Sequence, residues 1–150
     1  MEYLRRFITL SVCFVGIMAA SELCEAQNIM DKMKQHEQAK HFARAIVETN
    51  LDQKLNDSGP YTLFVPSKKV FNSLNEAQKV NKQLILNHIF TGMATERSLK
   101  VMKNVTCLSG KKITIKSDSN NKMSVNSFRL LSSNIKASNG VIHIINGVIK

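Results

Sequence analysis

Apolar and polar residues alternate with two different periods along this chain. In residues 27–55 and again in residues 80–90, apolar side chains recur every three or four positions, which is the period of an amphipathic helix. From Cys107 onward the period changes to two, which is typical of strands with one buried face. Helices first and strands last predict an α+β fold.

Shorter elements separate these regions. Residues 61–65 are aromatic and β-branched, so they predict a strand that Pro66 ends. Ser67 is placed to cap a short helix immediately after it. Leu99, Met102 and Val105 lie three positions apart and predict one or two further helical turns.

The densest β-branched run lies at the end of the chain, in residues 138–150, SNGVIHIINGVIK. An Asn-Gly turn stands on each side of residues 141–145, which are apolar on both faces except at His143. A run of this kind must be covered on both sides, so we predict a buried last strand.

The histidines admit a structural and a metal-binding interpretation. No Cys, Asp or second His lies near His143 at ligand spacing, which favours a core histidine bonded to the backbone over a metal ligand. His36 and His41 lie five positions apart in the first helical segment. That spacing turns them roughly 140° apart around a helix, so we expect both at the surface and no metal site.

The N-terminal residues predict a secretory signal peptide. Arg5 and Arg6 precede an uncharged apolar run over residues 7–20, and Cys24 and Ala26 are small residues that suit cleavage before Gln27. The alternative is an uncleaved anchor, although the run is shorter than the about 20 residues of a membrane span. We therefore expect a secreted protein without a transmembrane span, made of a signal peptide, 1–26, and one domain, 27–150.

Cleavage changes the cysteine count and the charge. Cys107 becomes the one remaining cysteine, so the domain must rely on its packed core rather than on an internal disulfide. The formal net charge of +10 rises to +11, because two arginines and three glutamates leave. A basic extracellular domain attracts sulfated glycans, acidic matrix proteins and anionic lipids, whereas the compartment disfavours nucleic acid. The alternative is that the positive charge only keeps the domain soluble and binds no partner.

The sequence contains motifs for glycosylation but not for the common classes of catalysis. Asn56 and Asn104 each begin an Asn-x-Ser/Thr sequon, and we expect them to be candidate glycosylation sites. Fingerprints of serine hydrolases, zinc proteases, P-loop proteins and dinucleotide-binding proteins do not occur in the chain. Cys107 with His88 or His143 could be imagined as a nucleophile and its base, but we expect neither catalysis nor a cofactor.

Three segments in order resemble the fasciclin-type domain of secreted and cell-surface adhesion proteins. They are residues 59–67 with the pattern Thr62-x-Phe64-x-Pro66, residues 84–90 around His88, and residues 134–149 with Asn139-Gly140-x-x-His143. The resemblance covers about residues 35–150. It implies a β-wedge of two sheets packed with several α-helices, extracellular adhesion, and no catalytic activity.

The resemblance also points to candidate contact residues. The family's integrin-linked Tyr-His motif falls on Asn87 and His88, and its Asp-Ile motif falls on Asn134 and Ile135. Both the tyrosine and the aspartate are replaced by asparagine. A contact bridged by a divalent cation needs a carboxylate, so both replacements count against integrin binding by that route. The other interpretation of His88 and Ile135 is core packing.

Two functions follow from these observations. The first is a secreted, non-enzymatic module that binds extracellular matrix or cell-surface proteins, with weak self-association or two partner surfaces. The alternative is a polyanion binder for a sulfated glycan or an anionic lipid surface, provided that the lysines share one face. The lysines concerned are Lys68, Lys69, Lys100, Lys103, Lys111, Lys112 and Lys116.

Overall fold

A computed structural model describes residues 26–57 and 59–150. The helices are α1 Ile29–Gln35, α2 Lys40–Glu48, α3 Asp52–Asp57, α4 Lys68–Asn72, α5 Glu76–Lys79, α6 Lys82–Leu86 and α7 Glu96–Val101. The strands are β1 Tyr61–Pro66, β2 Ile89–Thr91, β3 Asn104–Thr106, β4 Lys112–Ser117, β5 Met123–Val125, β6 Phe128–Ala137 and β7 Gly140–Ile145. The predicted signal peptide lies, except for its last residue, outside the described residues. None of the described helices has the length and apolar character needed to cross a membrane.

The strands form one continuous order, β2-β1-β7-β6-β5-β4-β3. At its centre β7 pairs in parallel with β1 and antiparallel with β6, and all six β7 residues are buried. The prediction of a buried last strand is therefore confirmed. The two outer strands approach each other through a bridge between Phe90 and Cys107, so the sheet curls towards a closed barrel.

Two apolar cores lie on opposite sides of β1 and β7. Alternate residues of β1, including Leu63 and Val65, face a core built with α1, α2 and α3. Phe64 and Ile145 belong to a second core with α7 and the strands β3 to β5. Both faces of the central strands are thus covered, which explains why their sequences are apolar without alternation.

The two long helical predictions need correction. Residues 27–55 form three helices rather than one, with breaks at His36 and at Asn50, whose φ is +54°. Residues 80–90 do not form one continuous helix. The side chain of Asn81 accepts a hydrogen bond from the N–H of Leu84 and starts α6, which is only five residues long. Residues 89–91 then pair with β1 as a strand, because sheet hydrogen bonds and burial outweigh the helical spacing of the sequence.

The remaining local predictions are mostly confirmed. β1 and α4 lie where residues 61–66 and Ser67 predict them, although the Ser67 side chain makes no capping hydrogen bond. The helical turns around Leu99 exist as α7, but they end at Val101. Val105 belongs to β3 instead, where it points into the second core.

Candidate binding surfaces and the buried polar network

Asn87 and His88 bind the last residues of the chain from inside the fold. The N–H of Ile149 donates to His88 Nε2 over 3.1 Å, and the Asn87 side-chain amide donates to the Ile149 carbonyl over 3.2 Å. His88 Nδ1 lies 2.8 Å from the carbonyl oxygen of Leu84, to which it can only donate. His88 is therefore a neutral imidazole that joins the end of α6 to the C-terminal segment.

Burial keeps this imidazole uncharged. His88 is fully buried, and desolvation lowers its pKa from 6.5 to about 4. Asn87 is 6% exposed. The two residues that correspond to the Tyr-His motif thus have their side chains inside the protein, and their polar atoms are used in holding Ile149.

Asn134 lies on the surface, at an irregularity of β6. The pairing of β6 with β7 shifts between Ser132 and Ile135, and Asn134 adopts a φ of +57°, a conformation that asparagine tolerates better than most residues. Its side-chain oxygen accepts a hydrogen bond from the N–H of Glu96 over 2.9 Å, at the first residue of α7. Asn134 is exposed, whereas the neighbouring Ile135 is half-buried against the helical core.

His143 supports this irregularity from below. The N–H of Asn134 points to His143 Nδ1 at 3.4 Å, and His143 Nε2 donates to the Ala94 carbonyl over 2.8 Å. Desolvation lowers the pKa of His143, so this imidazole is also held neutral. The prediction that His143 is a core histidine bonded to the backbone is confirmed.

The structure separates the seven candidate lysines into different settings. Lys68 pairs with Glu37 at 2.7 Å, and Lys100 lies 3.7 Å from Glu96. Lys111 donates to the backbone carbonyl of Lys150. Lys69, Lys103, Lys112 and Lys116 are exposed.

The strands bring Lys112 and Lys116 together with a basic residue that sequence reasoning missed. Both lysines lie on the outward side of β4, since Ile113 and Ile115 between them face the core. Lys116 is opposite Ser124, and Ser124 is opposite Arg129 on β6. Arg129 could have been found from the alternation of Phe128, Arg129 and Leu130, but the register that places it beside Lys116 could not.

Charge is distributed unevenly between the two halves of the domain. Residues 27–102 contain eleven basic and seven acidic residues, whereas residues 103–150 contain eight basic residues and a single acid, Asp118. Asp118 Oδ1 accepts the backbone N–H groups of Asn120 and Lys122 in the turn after β4. The excess positive charge therefore belongs mainly to the stranded half.

The two candidate glycosylation sites have different surroundings. Asn56 is exposed near the end of α3, but Ser58 of its sequon lies outside the described residues. Asn104 and Thr106 are both exposed on β3, on either side of the buried Val105. The register pairs them with Thr114 and Lys112, so they share the outward side of β4.

A surface groove of about 600 Å³ lies on α1 and α2. It is lined by Lys34, Lys40, His41, Ala43, Arg44, Val47 and Glu48. The expectation that His41 is a simple surface residue is wrong in part, because its Nε2 is buried and has no hydrogen-bond partner. Desolvation and the nearby Lys68 and Lys40 lower its pKa, so the side chain stays neutral within this basic environment.

Groups suited to metal binding or nucleophilic chemistry are scarce in this structure. Among the described residues, no three or more His, Cys, Asp and Glu side chains come close enough to hold a metal ion. Cys107 is buried, and desolvation raises the pKa of its thiol to about 12. A thiol with such a pKa is a poor nucleophile at neutral pH.

Comparison with known proteins identifies the class. The model of the fasciclin domain matches residues 37–150, so the chain belongs to the fasciclin domain family. The chain is 34% identical over 99 residues to mouse Stabilin-2, an alignment that covers 62% of this chain and 4% of that protein. It is 28% identical over 130 residues to the pig transforming growth factor-beta-induced protein ig-h3, covering 81% of this chain and 19% of that protein.

A solved structure supports the fold independently. The FAS1 domain pair of the insect cell adhesion molecule Fasciclin I matches 83% of this chain and 51% of its own, with a TM-score of 0.67 and 12% identity. The resemblance stated from the sequence and the α+β fasciclin fold are confirmed. The chain spans less than a fifth of the two relatives named above, so it corresponds to one domain within proteins much longer than itself.

Proposed function

We propose that the chain is a secreted, non-enzymatic adhesion module that binds extracellular matrix or cell-surface proteins. The observation that carries the proposal is membership of the fasciclin domain family, together with a fold shared with a cell adhesion molecule. The internal chemistry is in keeping with this function. His88, His143 and Cys107 are buried, and both imidazoles bond to backbone groups in structural roles.

The exposed side chain of Asn134 is the best candidate for a contact taken from the family motifs. It projects from a bulged strand beside the start of α7, and the buried His143 supports its backbone. Asn87 and His88 would act indirectly, by holding the C-terminal segment against the fold. Because Asn134 lacks a carboxylate, adhesion through this point would not require a bridging divalent cation.

Cell attachment to plates coated with the secreted protein tests this function. The full chain is expressed in eukaryotic cells, and N-terminal sequencing of the secreted product should begin at Gln27. We expect cells to attach above an albumin background and to remain attached in EDTA. Attachment no greater than to albumin would contradict the adhesion function, and a product retained in the membrane fraction would contradict the signal peptide.

A second candidate function is binding of polyanions. It is favoured by the concentration of positive charge in residues 103–150, where Asp118 is the single acidic residue. Electrostatic binding of this kind weakens as salt is added, because dissolved ions screen charges beyond about 8–10 Å at physiological ionic strength.

A further inference from the structure

We propose that the outward side of β3 to β6 binds a sulfated glycan chain, with Lys112, Lys116 and Arg129 as the cationic contacts. This inference rests on the polyanion function and assigns it to one surface. We call this surface the basic strand face, and it consists of Asn104, Thr106, Lys112, Thr114, Lys116, Ser124 and Arg129.

The strand register fixes the spacing of the three cations. Lys112 and Lys116 are four residues apart on β4, which separates their Cα atoms by about 13 Å. Arg129 lies two strands from Lys116, at about 10 Å, because neighbouring strands are about 4.8 Å apart. The three side chains therefore form a triangle wide enough for successive sulfates of one chain rather than for one small anion.

Packing holds the face in place. The residues between the outward positions, Ile113, Ile115 and Val125, are buried in the second core, so each outward residue is fixed by its inward neighbours. Lys112, Lys116 and Arg129 are all exposed. The backbone of the face therefore needs no rearrangement on binding, which lowers the entropic cost of binding.

Acidic neighbours distinguish this face from several of the helical lysines. Glu37 lies within hydrogen-bond distance of Lys40 and Lys68, and Glu76 within that of Lys79. On the stranded half, Asp118 engages backbone N–H groups of its own turn, and Glu96 of α7 accepts a hydrogen bond from Ser133 of β6. The ion pairs found among the described residues do not involve Lys112, Lys116 or Arg129. Cations with no carboxylate beside them are the more available to sulfate.

The residues among the cations favour a glycan over a lipid surface. Asn104, Thr106, Thr114 and Ser124 offer amide and hydroxyl groups that can hydrogen-bond to sugar hydroxyls. A peripheral membrane site gains much of its affinity from apolar side chains that enter the headgroup region. Of the large apolar side chains exposed in the described chain, only Leu131 lies on these four strands.

Heparin affinity compared with cation exchange tests the assignment. All proteins carry Asn104→Gln, which keeps an amide on the face and removes the sequon, so that no glycan can cover it. The parent is compared with the triple variant Lys112→Thr, Lys116→Thr, Arg129→Thr. A control with the same loss of charge carries Lys34→Ala, Lys69→Ala and Lys82→Ala at exposed helical positions. Urea unfolding midpoints establish that each variant is folded.

We expect the parent to leave heparin at clearly higher salt than it leaves a sulfonate exchanger. We call this extra salt the heparin excess. The triple variant on the basic strand face, called the strand variant, should lose the heparin excess. The helical control should elute at lower salt from both resins and keep the heparin excess. Equal elution of the parent from both resins, or equal loss of the excess in both variants, would overturn the inference. So would a strand variant that loses binding to phosphatidylserine vesicles when the parent shows no heparin excess.

Cell attachment measured in parallel separates this inference from the adhesion function. A parent that supports attachment but shows no heparin excess overturns only the glycan site. A parent with the heparin excess that supports no attachment overturns the adhesion function and leaves the site in place.

Discussion

His88 and His143 lie on opposite sides of the central strands and use the same chemistry for different purposes. His88 contacts Phe42 of the helical core at 5.4 Å between ring centroids, whereas His143 stacks on Phe64 of the other core at 5.7 Å. Each donates from one ring nitrogen to a backbone carbonyl and accepts at the other from a backbone N–H. His88 fixes the end of the chain, and His143 fixes a surface bulge.

The difference lies in what each histidine supports. The groups that His88 joins are all buried, so its loss should affect stability. The N–H that His143 accepts belongs to exposed Asn134, so its loss should also change the shape of a candidate contact surface. The two buried histidines therefore have different functions. His88 stabilises the fold, whereas His143 also positions a candidate contact residue.

The largest expected effect is that of His88→Leu. The substitution leaves the Leu84 carbonyl and the Ile149 N–H without their partners, and each unsatisfied buried group costs about 1–3 kcal/mol. We expect the free energy of unfolding to fall by about 3 kcal/mol, measured by urea denaturation. His36→Gln, at a half-buried histidine outside both cores, is the control and should change it by less than about 0.5 kcal/mol. Equal losses in the two variants would contradict the role assigned to His88.

The pH dependence of the free energy of unfolding should also depend on His88. The pKa of His88 is lowered to about 4 in the folded state from 6.5, so the unfolded chain binds a proton more readily. The stabilisation is complete above pH 6.5 and is lost as the pH falls towards 4, with a total of about 3 kcal/mol from this group. The pKa of His143 is lowered in the same direction.

Unfolding midpoints in urea between pH 7.5 and pH 4 measure this dependence. The slope should be shallower in His88→Leu, and His143 should account for part of what remains. A slope that is identical in the two proteins would show that His88 is not the group that titrates.

Substitutions of Asn134 test the surface bulge that His143 supports. Asn134→Val places a β-branched residue at a φ of +57° and removes the acceptor for Glu96, so we expect a loss of about 1–3 kcal/mol. Asn134→Gly keeps the backbone conformation and should cost less than Val. Differential scanning calorimetry distinguishes the two, and a loss for Val no greater than for Gly would argue against a conformational requirement.

The smallest change in stability is expected for Asn134→Asp. Aspartate retains the acceptor at the N-terminal end of α7 and tolerates the same φ, so unfolding should shift by less than about 1 kcal/mol. The variant regains the carboxylate of the family motif, and attachment of cells should become sensitive to EDTA. Attachment with unchanged EDTA sensitivity would show that this position is not a cation-bridged contact.

The sequence predicted local secondary structure and burial better than it predicted which distant strands pair. The buried β7, the strand before Pro66 and the core role of His143 follow from composition and turn residues. The parallel pairing of β1 with β7 does not, because residues about 80 positions apart leave no periodic signal of their register. The predicted helix over residues 80–90 was wrong because its apolar spacing suits both a short helix and the strand that follows it.

The candidate sites were also predicted incompletely, because long-range pairing decides which residues are neighbours. Sequence reasoning found Lys112 and Lys116 by their proximity on one strand, but Arg129 joins them only through a two-strand register. It also grouped Lys68 and Lys100 with them, although each lies beside a glutamate in the folded chain. Side-chain neighbours that are distant along the chain decide which charges are available.

The bridge between Phe90 and Cys107 has a consequence for aggregation. Exposed strand edges recruit further strands, whereas a sheet whose outer members meet offers few free N–H and C=O groups to another copy. Here the N–H of Leu108 donates to the Ile89 carbonyl over 2.8 Å across the same junction. Copies of this domain that associate would therefore do so through side chains rather than by extending one another's sheets.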